Sequence, residues 1–138
     1  MLKTILVAYD GSDSAERAFQ FALDLAKLSQ AAVSVLAVAD SSIPPTAVQM
    51  AGLLESATEH FEQAFVRLRE AASIDGVPMS AKTLVGQPAR QIIQEATDQR
   101  VDLIAMGHGR GNWVERWLSR SVSKGVLSDA PCAVAIVR

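Results

Sequence analysis

The sequence predicts an α/β fold: a doubly wound, five-stranded parallel sheet in a three-layer sandwich. Short apolar runs alternate with segments of helical periodicity in the order β-α-β-α-β-α-β-α-β, and alternation at this spacing implies parallel strands joined by right-handed crossovers. Ala32–Ala39 (AVSVLAVA) is apolar at nearly every position, the pattern of a strand buried on both faces. The chain has 138 residues, 49% of them hydrophobic, which is enough for one core and too little for two, so residues 1–138 are read as a single domain.

Each element has its own signal. Thr4–Tyr9 is a short apolar run that ends at the turn Asp10-Gly11-Ser12. Ser12 or Asp13 can cap the following helix, with Glu16 in its first turn and Ala18, Phe19, Ala22, Leu25, Ala26 and Leu28 at helical spacing. The second strand gives way to a loop at Ser41–Thr46, marked by Pro44-Pro45. A long helix from about Ala47 to Ser73 carries Leu54, Ala57, Phe61, Ala64, Phe65, Leu68 and Ala72 on one face, and Asp75-Gly76 stops it. Met79–Val85 alternates more than the other strands and is expected at a sheet edge. Gly86-Gln87-Pro88 opens a helix with Pro88 in its first turn, where a missing N–H costs nothing; Ile92, Ile93 and Ala96 face inward. Val101–Ala105 is the fourth strand, a helix follows around Ser119–Leu127, and Cys132–Val137 closes the chain.

Composition excludes several classes. A net charge of −2 offers no basic surface for nucleic acid, and no apolar run is long enough to cross a bilayer. Met1-Leu2-Lys3-Thr4 leads straight into a strand, which reads as the absence of a signal peptide. The single cysteine, Cys132, cannot form an internal disulfide. These features are expected of a cytoplasmic protein.

The chemistry concentrates where the fourth strand runs out, at Met106-Gly107-His108-Gly109-Arg110-Gly111. Three glycines in so short a stretch let the backbone turn tightly and bring its N–H groups close to an anion. Ser121-Val122-Ser123 then enters a helix whose start adds donors and a positive dipole end. In a doubly wound sheet, ligands bind beyond the carboxyl ends of the strands where the chain order reverses. If the first and fourth strands are neighbours, one crevice holds both Asp10-Gly11-Ser12 and the glycine loop. Structural readings stand beside these. Asp10 can cap the helix after the first strand, Gly107 and Gly111 can satisfy positive backbone angles, and Ser123 reads as a cap or a solvated helix residue. His108 has no ligand-spaced acidic, His or Cys neighbours and reads as a loop residue. His60 is expected at the surface, Cys132 in the core, and Trp113 and Trp117, four apart, packed against the sheet.

Taken together, these segments resemble the single-domain universal stress proteins. The resemblance covers the whole chain: Ile5-Leu6-Val7-Ala8-Tyr9-Asp10-Gly11-Ser12, Leu36-Ala37-Val38, Val85-Gly86-Gln87-Pro88 with its helix, Asp102–Gly107 followed by Ser121-Val122-Ser123, and Ala130-Pro131-Cys132-Ala133-Val134. It implies the strand order 3-2-1-4-5 and a dimeric stress-response regulatory protein, not an enzyme. It also implies ATP or a related adenine nucleotide at the switch point, with Mg as the ion that would accompany it. By this resemblance Asp10 contacts the ribose or adenine side and Val38 contacts the adenine through its backbone. Gly107, Gly109, Arg110, Gly111, Ser121, Val122 and Ser123 surround the ribose and phosphates. The family's closing edge strand, here 132–137, implies a homodimer, and an unidentified protein partner is expected.

The phosphate loop departs from the family's Gly-x2-Gly-x9-Gly-Ser/Thr pattern. Gly107 and Ser121 match, but Arg110 holds the second glycine's position and Arg120 the third. Arg120 could obstruct the phosphates, leaving a nucleotide-free dimerisation or interaction module. Alternatively, Arg110 or Arg120 could reach the phosphates through charge-assisted hydrogen bonds. Asp10-Gly11-Ser12-Asp13-Ser14 also partly resembles the Ser-Gly-Gly-x-Asp-Ser loop of ATP pyrophosphatases, but Asp10 stands where the first serine belongs and its carboxylate would repel a pyrophosphate.

Overall fold

The computed structural model describes residues 1–41, 45–108 and 120–138, with the side chains of Arg120 and Ser121 outside the description. The elements run β1 (Thr4–Ala8), α1 (Asp13–Ser29), β2 (Ala32–Asp40), α2 (Ala47–Ile74), β3 (Met79–Gly86), α3 (Pro88–Gln99), β4 (Leu103–Gly107), α4 (Arg120–Asp129) and β5 (Ala133–Val137). All four strand pairings are parallel, in the order β3-β2-β1-β4-β5. α1 packs on β1, β4 and β5, and α2 on β2 and β3. α3 lies over β2 and β3, α4 over β5, and α3 and α4 pack against each other. Right-handed crossovers therefore put α1 and α2 on one face and α3 and α4 on the other.

Burial follows this layering. β4 is buried throughout and β1 is buried from Ile5 onward, because both lie in the middle of a sheet covered on both faces. β3 alternates between half-buried and exposed over its first residues, as an edge strand should. β5, at the other edge, is half-buried after Ala133. Cys132 precedes it and is half-buried rather than part of the sealed core.

Local chemistry explains the helix limits. Ser12 is the N-cap of α1 and its side chain accepts the Ala15 N–H. On α1 the inward face takes Leu23, while Leu28, expected inward, is 85% exposed in the last turn. α2 starts with a capping box, Thr46 and Gln49 bonding each other's backbone N–H. Its inward face is Ala57, Phe61, Phe65, Leu68 and Ala72, but Leu54 is exposed. The reason is length: 28 helical residues reach about 42 Å, whereas the eight-residue β3 beneath reaches about 26 Å. The first turns of α2 therefore extend past the sheet. α3 begins with Pro88 at its first turn, buries Ile92 and Ala96, and leaves Ile93 half-buried. Among the described residues, no helix is long and apolar enough to cross a membrane.

Candidate functional site

The sheet order brings the ends of β1 and β4 together. Ala8 lies opposite Met106 on one side and opposite Leu36 on the other. The β1–β2 ladder finishes there, with the Tyr9 N–H donating to the Leu36 carbonyl at 2.8 Å. β2 runs on to Asp40 beside β3, so Val38, buried and opposite Leu84, stands beyond the end of β1. Asp10, Val38 and Gly107 thus gather at the carboxyl end of the sheet around its switch point.

Asp10 is fully buried. Its carboxylate accepts the Ser12 N–H at 3.0 Å and the Ser12 hydroxyl at 2.6 Å. The Ser12 oxygen in turn accepts the Ala15 N–H at 3.2 Å and lies 3.2 Å from the Ser14 hydroxyl. The capping residue is thus Ser12, and Asp10 orients it. Between them Gly11 adopts φ +84°, a conformation that suits a residue without a Cβ.

Gly107 does not serve a positive backbone angle, contrary to that expectation: among the described glycines the positive φ values belong to Gly11, Gly76 and Gly86. A Cβ on Gly107 would sit 2.5 Å from the Ser14 carbonyl carbon and 2.8 Å from the Ala15 nitrogen. The glycine is needed because β4 ends directly against the first turn of α1. His108 follows, half-buried, and its N–H donates to the Val137 carbonyl at 2.8 Å, tying the exit of β4 to β5.

Ser123 is not a solvated helix residue. It is 5% exposed, and its buried hydroxyl oxygen has no hydrogen-bond partner among the described residues. It lines a cavity of about 510 Å³ with His108, Lys124, Leu127, Ile136 and Arg138; Asp10, Val38 and Gly107 are absent from that lining. Val122 is half-buried against the core. Gly109, Arg110, Gly111, Trp113 and Trp117 lie outside the described residues, as do the side chains of Arg120 and Ser121.

One cluster beside the crevice escaped the sequence reading. The Tyr9 hydroxyl donates to Glu16, and Arg67 of α2 bonds both oxygens of that carboxylate and the Tyr9 oxygen. Tyr9 also packs edge-on to Phe61 and tilted against Phe65, with ring centres 6.2 and 6.3 Å away. Burial, reinforced by Glu16, pushes the Tyr9 hydroxyl pKa well above the usual tyrosine value. Burial disfavours the Glu16 carboxylate, but the hydrogen bonds from Arg67 and Tyr9 outweigh it and hold its pKa below the usual range. Arg67 lies among the polar residues of α2, and helical periodicity carries no sign of a partner on α1. A second ion pair joins Lys82 of β3 to the buried Glu95 of α3 at 2.8 Å. Among the described residues, no group of three or more His, Cys, Asp or Glu could hold a metal ion.

The family model for universal stress proteins matches residues 1–138, the whole chain. The chain belongs to the universal stress protein family. A universal stress protein from Thermus aquaticus is 36% identical over 139 residues, covering 100% of both chains. The structure of the universal stress protein UspA from Lactobacillus plantarum superposes with a TM-score of 0.84 at 27% identity, covering 99% of this chain and 98% of that one. A universal stress protein solved in complex with cAMP superposes at 0.75 and 24% identity, covering 99% and 97%; at that identity it shares the fold. The order 3-2-1-4-5 and the helices on both faces, expected from the family resemblance, are those of this structure.

Proposed function

We propose that this universal stress protein is a homodimeric regulatory protein of the cytoplasm that binds ATP or a related adenine nucleotide, with Mg, in the crevice between β1 and β4. The observation that carries this reading is the seating of Gly107 against Ser14 and Ala15. It seats the end of β4 against the turn that carries Asp10 at the switch point of the sheet, where doubly wound folds hold their ligands. Val38 stands past the end of β1, and the family resemblance gives its backbone the contact with the adenine. The family member solved with cAMP supports an adenine nucleotide as the ligand class to test. In this reading Asp10 holds the turn in shape at the sugar, and the start of α4 at Ser121 offers N–H groups to the phosphates. Regulation rather than catalysis is the output, with occupancy changing the protein's contacts. The apolar β5 edge is the surface that would pair with a second copy.

The test is calorimetric titration of nucleotide-stripped protein with Mg-ATP, beside Arg120→Gly and with light scattering on the same samples. Saturable micromolar binding by a wild-type dimer is expected. Binding by Arg120→Gly alone would favour the nucleotide-free interaction module, with Arg120 closing the site. Binding by neither would place the fault in the shifted glycine register, and a monomer would remove the dimer.

A further inference from the structure

We infer that the free edge of β3, with the rim of α2 above it, is an antiparallel contact between two copies of this chain. It lies across the sheet from β5 and depends neither on the nucleotide reading nor on pairing through β5.

The edge is open in backbone terms. β3 ends the strand order, and among the described residues no strand pairs with its outer side. The Pro78 and Gly86 carbonyls accept N–H groups from Val33 and Ser41, on the β2 side, at 2.9 and 3.0 Å. With a period of two, the main-chain groups of Met79, Ala81 and Thr83 therefore point outward. Such a row templates another strand. A lysine can guard an edge of this kind, but the Lys82 ammonium is tied to the buried Glu95 of α3 at 2.8 Å.

The rim selects the occupant. Two grooves, of about 430 and 340 Å³, run along β3 beneath α2 and share Arg69. Thr58 and Glu62 line the first and Ser73 the second, so Thr58, Glu62, Arg69 and Ser73 form one stripe along the helix. Antiparallel pairing of β3 with its copy sets α2 antiparallel to its copy on the same face of the sheet. With the axis at Phe65 and Val66, midway along the stripe, Glu62 faces the second copy's Arg69. Thr58 then faces the second copy's Ser73, and each pair occurs twice, as an isologous contact requires. Glu62 and Arg69 are both exposed, and among the described residues neither is in an ion pair. Val66, 49% exposed, puts an apolar side chain beside the axis. A foreign partner would have to match this order of charges and hydroxyls, whereas a second copy matches it by symmetry.

The same axis sets the strand register. Centred on Ala81, the strands pair Ala81 with itself and Met79 with Thr83, residues that would exchange both main-chain bonds. Lys82 then lies opposite Ser80. Centring on Lys82 would instead set like charges face to face.

The test is sedimentation velocity of the full chain over micromolar concentrations, with Glu62→Arg and Arg69→Glu run separately and as a one-to-one mixture. Either variant alone sets like charges across both halves of the contact and should weaken it about thirtyfold. The mixture places opposite charges across both halves again and should recover wild-type association. Both changes are at exposed positions, so circular dichroism and urea midpoints should match the wild type. A wild type that assembles past a dimer, with each variant alone stopping at the dimer, supports contacts at both edges. A wild-type dimer that becomes a monomer in each variant supports the β3 contact and counts against β5 pairing alone. A wild-type monomer, or association that neither variant weakens, overturns the contact. Loss in the separate variants that mixing does not repair also overturns it, because charge complementarity then plays no part.

Discussion

Ser12 and Ser123 each lie near the start of a helix that follows a central strand, Ser12 as the N-cap of α1 and Ser123 as the fourth residue of α4, and each is buried, at 8% and 5% exposure. Their surroundings are opposite. The Ser12 hydroxyl is bonded to Asp10, caps the Ala15 N–H and neighbours the Ser14 hydroxyl. The Ser123 hydroxyl has no partner among the described residues. A buried polar group with its bonds complete holds the chain in shape, whereas one with none is where an incoming molecule gains most. The β1–α1 turn is therefore the frame of the crevice, and the start of α4 is where the proposed ligand would gain most.

The largest expected effect tests the frame. Gly107→Ala would drive a Cβ into main-chain atoms of Ser14 and Ala15, which cannot swing aside as a side-chain tip can. It should cost about 3 kcal/mol in urea unfolding, and a loss below about 0.5 kcal/mol would show that β4 and α1 separate easily. Ser12→Ala comes next. It removes the cap and one of the bonds to the buried Asp10, for a loss of about 1–2 kcal/mol. Ser123→Ala should have the smallest effect, and of opposite sign. With no bond to lose, stability should be unchanged or rise by up to about 1 kcal/mol. If Ser123→Ala destabilises as much as Ser12→Ala, the contrast between the two serines is wrong.

Much of this fold was legible from one dimension. Alternating periodicity marked every element, continuous apolar runs marked parallel strands, and the weaker pattern of Met79–Val85 marked an edge. The resemblance to the universal stress proteins supplied the strand order. The errors share a cause. Leu54 has the helical spacing of a core residue, but α2 outruns β3, so the exposure of its first turns depends on the length of a different element. Leu28 likewise falls in the last turn of α1, where the sheet no longer covers it. Asp10 stands buried in the β1–α1 turn, but Ser12 and Asp10 compete for one capping role, and local sequence does not choose between them.

Periodicity, capping and turn chemistry act between near neighbours along the chain, and these local rules were enough to set the elements and to draw attention to Asp10, Gly107 and the start of α4. Contacts between distant segments follow no such rule. The need for glycine at 107 comes from Ser14 and Ala15, the pairing of Arg67 comes from Tyr9 and Glu16 on other elements, and the isolation of the Ser123 hydroxyl comes from what surrounds α4 once it has docked. Each depends on which surfaces meet after packing, and packing is decided by the whole sheet at once.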